Sequence, residues 1–303
     1  MTLLMTLLFS SQALAINEGA EIRSYVGRSA QSENAATAPR IEQVKLAGIP
    51  AILRVPEQML LPPIVLWHGF GAPGDKHALM RSLPLDDVPA AKIYLDLPLF
   101  GDRLPNGGLA ELADRQQRDY GLEIFTPAVT GAARELPAVI AALKGMLGTQ
   151  WDEEVSLFGF SAGGAAVLLT LAENAVKVRD AIVLNAPNGL RGGVAAFESV
   201  SAKHYAWSNQ AENIAEQTDA VQRAEEIVGE RYTPSLLLIH GIEDEIIPFE
   251  SSVLIHEALK IHYKGKPTPL HLELIEGLDH HWAEGPVERV NAVQAQISEW
   301  LRC

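Results

Sequence analysis

The chain has 303 residues, 48% of them hydrophobic, which is enough to bury one large core or two small ones. The net charge is −14 and the isoelectric point about 5.1, which argues against nucleic acid or an anionic membrane surface as a partner. The single cysteine, Cys303, excludes an intramolecular disulfide and makes a cysteine-based metal site or nucleophile implausible.

Residues 1–15 have the pattern of a secretory signal peptide. Residues 1–9 are apolar, and Ala13-Leu14-Ala15 is an A-x-A cleavage pattern, so we expect cleavage after Ala15 and export to the periplasm or the medium. No Lys or Arg precedes the apolar run, which leaves a cytoplasmic protein with an N-terminal tail as the alternative. Residues 16–39 form a polar segment that leads into the domain, with a short strand at 21–26. No stretch is long enough to span a bilayer.

Strands and helices alternate over residues 40–301, which we predict to be one α/β domain. Two strands, 40–46 and 49–55, are joined by Ala47-Gly48 as an antiparallel hairpin. Further strands are predicted at 62–67, 91–96, from 155, at 180–185, 235–240 and 269–275, and helices at 76–83, 130–147, 165–171, 211–228, 249–263 and 285–301. This alternation predicts a mostly parallel sheet with helices on both faces. Residues 97–119 are predicted as a loop.

A sharp turn, Gly159-Phe160-Ser161-Ala162-Gly163, follows the strand that begins at Val155 and precedes a helix of small residues. A G-x-S-x-G turn between a strand and a helix is typical of a nucleophile elbow. Gly159 and Gly163 must lack side chains so that strand and helix can approach each other. The hydroxyl of Ser161 is then exposed above the C-terminal edge of the sheet.

A serine hydroxyl needs a base to take its proton and an acid to orient and stabilise that base. The loop after strand 235–240 offers Glu243, Asp244 and Glu245 as acids, and the loop after strand 269–275 offers His280 and His281 as bases. Adjacent histidines point apart, which makes a metal site at this pair implausible.

The loop after strand 62–67 reads His68-Gly69-Phe70-Gly71. A tetrahedral intermediate needs two hydrogen-bond donors aimed at its developing negative charge. We expect these donors to be the backbone N–H groups of Phe70 and of Ala162, the residue after the serine.

In this order, the four motifs resemble the α/β-hydrolase fold, and most closely the branch of dienelactone hydrolases and prolyl-oligopeptidase-like esterases. The resemblance covers about residues 40–301. Its spacings favour Asp244, by the distance to Pro248, and His280, by the distance from Gly277. It implies acyl transfer by a Ser161-Asp244-His280 triad, in the chain order typical of this fold, without a metal or an organic cofactor.

The expected substrate is a small-molecule carboxylic ester. A peptide or amide, or transfer of the acyl group to an alcohol, is the alternative on the same triad. A dehalogenase or epoxide hydrolase would carry Asp in place of Ser161. A non-catalytic binding scaffold is the alternative of another class, although such proteins usually lack one triad member. The oligomeric state is not predicted.

The region between the strands at 180–185 and 235–240 is long and helix-prone, and we expect residues 188–233 to form a small helical lid. Its aromatic residues Phe197, Tyr205 and Trp207 either line a substrate pocket or only pack the lid. The Asp102-Arg103 pair is expected to make a structural ion pair rather than to contact a polar substrate.

Overall fold

Eight strands in the described residues form one sheet. The computed structural model describes residues 38–148, 151–229 and 232–302, so the predicted signal peptide, the predicted strand at 21–26 and Cys303 lie outside the described residues. In chain order the strands are β1 (Arg40–Leu46), β2 (Ile49–Val55), β3 (Ile64–Trp67), β4 (Lys92–Leu95), β5 (Val155–Phe160), β6 (Val178–Leu184), β7 (Ser235–Gly241) and β8 (Leu270–Ile275). Their spatial order is β1-β2-β4-β3-β5-β6-β7-β8.

The strand pairing is mostly parallel. β1 and β2 form the antiparallel hairpin, β2 also pairs antiparallel with β4, and the remaining neighbours are parallel. The central strands β3 and β5 are buried along their whole length, which explains their unbroken apolar runs. The edge strand β1 alternates because part of its surface meets solvent. The predicted hairpin and parallel sheet are confirmed.

Helices cover both faces of the sheet, as predicted. They are α1 (Lys76–Ser82), α2 (Gly108–Tyr120), α3 (Thr126–Leu147), α4 (Ala162–Glu173), α5 (Leu190–Ser201), α6 (Asn209–Thr218), α7 (Ala224–Val228), α8 (Glu250–Tyr263) and α9 (Val287–Arg302). α1 and α9 bury their apolar residues against one face, and α3, α4 and α8 against the other. None of the helices in the described ranges is long and apolar enough to cross a membrane.

Two parts of the predicted element pattern are wrong. Residues 108–120 form α2 instead of a loop, followed by a π-helical turn at Gly121–Phe125. α2 is mostly polar and buries only Leu112 and Tyr120, so its sequence carries few apolar residues that would mark a helix. The helix predicted at 211–228 is two helices, because Asp219 accepts hydrogen bonds from the N–H groups of Val221 and Gln222 and caps a turn between them.

Candidate active site

Ser161 lies in the sharp turn between β5 and α4. Its backbone has φ 53° and ψ −118°, a strained conformation for a residue with a side chain. A Cβ at Gly159 would lie 2.2 Å from the carbonyl oxygen of Gly163, and a Cβ at Gly163 would lie 2.5 Å from that of Trp67. Only glycine therefore fits at these two positions, and the turn holds the serine side chain above the sheet edge.

The structure brings Ser161, Asp244 and His280 into one hydrogen-bonded chain. His280 Nε2 lies 3.2 Å from Ser161 Oγ, and His280 Nδ1 lies 2.7 Å from Asp244 Oδ2. All three residues are buried. Since a carboxylate can only accept, Nδ1 carries the proton and Nε2 is free to accept the serine hydroxyl proton. This arrangement can transfer a proton from the serine to the imidazole.

Asp244 is held as a carboxylate by its surroundings. Its Oδ1 accepts the N–H groups of Ile246 at 2.9 Å and Ile247 at 2.8 Å, and His240 Nε2 lies 3.4 Å from its Oδ2. Burial opposes ionisation, but the hydrogen bonds from His240, His280 and Ile247 outweigh it and hold the pKa of Asp244 well below its ordinary value. The negative charge opposite His280 is therefore present at neutral pH.

The neighbouring candidates lie elsewhere. Glu243 is exposed and accepts the backbone N–H of Gly277 at 2.5 Å, and Glu245 is exposed as well. The ring of His281 is 6.2 Å from that of His280 and at 86° to it, on the lining of the adjoining cavity. Of the acids and bases that the two loops offer, the structure thus places Asp244 and His280 in line with Ser161.

The expected oxyanion donors also border this site. Phe70 and Ala162 both line the cavity that contains Ser161 and His280. Ala162 is the first residue of α4, where backbone N–H groups have no partner within the helix. Among the hydrogen bonds of the described residues, none is donated by the backbone N–H of Phe70 or Ala162. Both groups are thus free to bind a ligand.

The sequence pattern of the prolyl oligopeptidase family matches residues 134–302, which is more than half of the chain. The chain belongs to the prolyl oligopeptidase family. The match includes the positions of Ser161, Asp244 and His280, and it places the chain among the serine hydrolases. The comparison with curated protein sequences gave no match.

Solved structures similar to this prolyl oligopeptidase family member confirm the α/β-hydrolase fold. The Thermus thermophilus protein TT1662 is 20% identical with a TM-score of 0.64, and the alignment covers 88% of this chain and 100% of that one. A dienelactone hydrolase from Anabaena variabilis is 18% identical with a TM-score of 0.54, covering 87% and 97%. A puromycin-hydrolyzing peptidase from Mycobacterium tuberculosis is 19% identical with a TM-score of 0.57, covering 90% and 40%. The chain thus spans about two fifths of that peptidase's length.

In this family member, His68 ties the loop that carries Phe70 to the loop after β4. His68 Nε2 accepts the backbone N–H of Leu97 at 3.1 Å, so the proton lies on Nδ1, which is 2.6 Å from the carbonyl oxygen of Gly69. Burial lowers the pKa of His68 more than the nearby carboxylate of Asp96 raises it. A neutral imidazole therefore joins the two loops.

An ionic cluster behind this loop, centred on the buried residues Lys76 and Asp96, was not predicted. Asp96 Oδ2 lies 2.6 Å from Lys76 Nζ and 2.9 Å from the backbone N of Asp102. Lys76 Nζ also contacts Asp102, whereas Arg103 makes a two-pronged ion pair with Glu135. Asp102 and Arg103 thus make structural ion pairs, as expected, but with other partners rather than with each other. No motif indicated this cluster, because its members come from separate elements.

The same loop carries an aromatic contact to the proposed oxyanion donor. The rings of Phe100 and Phe70 are stacked, with centroids 4.6 Å apart and an interplanar angle of 11°. Phe100 is buried and follows the ionic cluster residue Asp96 by four positions. The position of Phe70 therefore depends on the loop after β4.

A cavity of about 110 Å³ adjoins Ser161. Phe197 of α5 lines it, whereas Tyr205 and Trp207 are not among its lining residues. Tyr205 donates its hydroxyl to Asp119 Oδ1 at 2.6 Å, and the ring of Trp207 stacks under Arg191. Phe197 thus lines the pocket, whereas Tyr205 and Trp207 make packing contacts within and beside the predicted lid. Three further lining residues were missed: Gln116 lies in the predicted loop, and Tyr120 and Phe125 lie in a stretch for which no element was predicted.

Proposed function

We propose that this protein hydrolyses a carboxylic ester through an acyl-enzyme intermediate on Ser161. The observation that carries the proposal is the position of His280, whose two ring nitrogens lie 3.2 Å from Ser161 Oγ and 2.7 Å from Asp244 Oδ2. Nucleophile, base and orienting acid at such distances form the machinery of acyl transfer.

In the first half of the reaction, Ser161 Oγ attacks the ester carbonyl carbon while His280 Nε2 takes the hydroxyl proton. Asp244 stabilises the imidazolium, and the N–H groups of Phe70 and Ala162 bind the oxyanion. The C–O bond to the alcohol then breaks, and His280 returns its proton to the leaving oxygen. In the second half, water attacks the acyl-enzyme with the same base and releases the acid.

Peptide or amide hydrolysis is the second candidate, and the match to the prolyl oligopeptidase family favours it. The cavity supports the ester instead, because none of the described residues that line it is Asp, Glu, Lys or Arg. Such a lining offers no ion-pair partner for the charged end of a short peptide. Acyl transfer to an alcohol would use the same residues, and product analysis with an alcohol acceptor distinguishes it from hydrolysis.

The test is hydrolysis of p-nitrophenyl butyrate by the wild-type protein and by Ser161→Ala. We expect the variant to lose at least about 10⁴-fold in kcat, since the remaining groups cannot form the acyl-enzyme. Ser199→Ala, at an exposed serine of α5, is the matched control and should keep the wild-type rate. Equal rates for Ser161→Ala and wild type would overturn the proposal.

A further inference from the structure

We infer that the aromatic side of the cavity beside Ser161 is an acyl pocket that selects uncharged, apolar acyl groups no longer than about hexanoyl. The inference rests on the proposed function and names the substrate class for that same site. It makes Phe197 and Ala196 of α5 specificity-determining residues.

The wall of the cavity is a set of packed aromatic rings. Tyr120 and Phe197 are stacked with centroids 4.5 Å apart, and Phe70 packs edge-on against Tyr120 at 6.4 Å and Phe125 at 6.3 Å. Rings in mutual contact have fixed orientations, so they present a rigid apolar surface. Such a surface binds hydrocarbon by removing it from water.

The chemistry of the reaction decides which part of the ester this wall receives. His280 must protonate the leaving oxygen, so the alcohol lies on the side of the imidazole, where His281, Ile246 and Ile247 line the cavity. The aromatic wall includes Phe70, whose N–H is the proposed oxyanion donor. The group beside the oxyanion and away from the leaving group is the acyl chain.

The size of the cavity limits that chain. An apolar cavity of about 150 Å³ holds a benzene ring, and the cavity here measures about 110 Å³. The far wall is closed by direct packing, since a Cβ at Gly193 of α5 would lie 2.4 Å from the ring of Phe125. Tyr205, hydrogen-bonded to Asp119, fixes the segment that follows α5. An acyl chain much longer than hexanoyl exceeds the space on this side of the cavity.

The wild-type protein tests the inference with p-nitrophenyl esters from acetate to decanoate and with mono(p-nitrophenyl) succinate. We expect kcat/KM to rise by up to about fourfold per added methylene until the pocket is full. It should then fall at least about tenfold from hexanoate to decanoate, because overfilled pockets are penalised. The succinate, with a free carboxylate, should react at least about 100-fold more slowly than the butyrate.

Two variants should shift the preferred acyl-chain length in opposite directions. Phe197→Ala enlarges the pocket, and we expect the decanoate-to-butyrate ratio of kcat/KM to rise at least about tenfold. Ala196→Leu fills it, and the ratio of butyrate to acetate should fall at least about tenfold. Trp207→Ala removes an aromatic residue of the predicted lid that lies outside the cavity lining, and it should leave both ratios unchanged.

A fluorophosphonate probe, which labels a reactive serine, distinguishes failure of the acyl-pocket inference from failure of the proposed function. Labelling of Ser161 together with a flat profile, or with a preference for decanoate or succinate, would overturn the acyl-pocket inference and leave the proposed function standing. If Ser161 is not labelled and the esters are not cleaved, both fall. Labelling together with the expected profile and variant shifts supports both.

Discussion

At the residue scale, the site depends on which of two adjacent histidines faces the serine. His280 is buried and hydrogen-bonded on both ring nitrogens, to Ser161 and to Asp244. His281 lies on the cavity lining with its ring perpendicular to that of His280. Both residues lie in a turn, and their ring centroids are 6.2 Å apart, so the two imidazoles cannot exchange roles without moving the backbone.

This difference predicts unequal effects of two substitutions. His280→Ala should lower kcat for p-nitrophenyl butyrate by at least about 10⁴-fold, because the serine loses the imidazole that contacts its hydroxyl. His281→Ala should change kcat/KM by less than about tenfold, since it removes only part of the cavity rim. Steady-state kinetics of both variants, with circular dichroism to verify folding, measure this. A loss in His281→Ala as large as that in His280→Ala would contradict the assignment.

At the scale of elements, the loops after β3 and β4 act as one unit. His68 links the two loops through Leu97, and Phe100 stacks on Phe70 at 4.6 Å. The buried pair of Lys76 and Asp96 anchors the second loop to the first turn of α1. The N–H of Phe70 is therefore positioned by residues that do not themselves touch a substrate in the cavity.

Phe100→Leu tests this positioning. The smaller side chain should let Phe70 shift, and a misplaced oxyanion donor lowers transition-state stabilisation more than substrate binding. We expect kcat for p-nitrophenyl butyrate to fall about 10- to 100-fold with a change in KM of less than about threefold. Leu143→Ala, a core truncation in α3, should lower the thermal midpoint without this loss in kcat. A rise in KM at unchanged kcat would show that Phe100 acts on substrate binding instead.

At the scale of the whole molecule, the carboxyl ends of β3, β5, β7 and β8 meet at one edge of the sheet. Each of these strands is followed directly by a loop that carries a site residue, namely Phe70, Ser161, Asp244 and His280. Residues more than 200 positions apart in sequence thus line one cavity. The site forms only when the whole sheet is folded. Protonation of a buried group near the site therefore changes the free energy of unfolding of the whole domain.

His68 is such a group, and it makes the free energy of unfolding depend on pH. Its pKa is lowered in the folded protein, whereas an unfolded histidine titrates near about 6.5. Below a pH of about 6.5, the unfolded state therefore binds more protons than the folded state. The contribution of His68 to stability is complete above that pH and is lost as the pH falls through the folded pKa. We expect this single group to lower the free energy of unfolding by up to about 1.4 kcal/mol per pH unit in that window.

Urea unfolding at pH 7.5 and 5.5 measures the effect. His68→Gln cannot be protonated, so its free energy of unfolding should decline less over this interval than that of the wild type. His204→Gln, at a fully exposed histidine, should keep the wild-type pH dependence. Equal pH dependence in wild type and His68→Gln would contradict the link.

The sequence by itself determined the fold and the family. Apolar runs predicted the buried strands and a mostly parallel sheet, and the resemblance of the motifs at His68, Ser161, Asp244 and His280 to a known family implied the α/β-hydrolase fold and the candidate residues. Prediction failed where few apolar residues mark an element. α2 buries only Leu112 and Tyr120, and it was predicted as a loop. Export after cleavage at Ala15 and the catalytic roles stay predictions.

Only the tertiary structure decided which side chains meet. Residues that contact each other near the site, such as Tyr120 and Phe197, or Lys76 and Asp96, come from separate elements and share no motif. Their pairing depends on how separate elements pack, which no local pattern encodes. The aromatic wall and the size of the cavity beside Ser161 therefore became visible only in the folded chain, because both arise from contacts between α5, α2 and the turn after it.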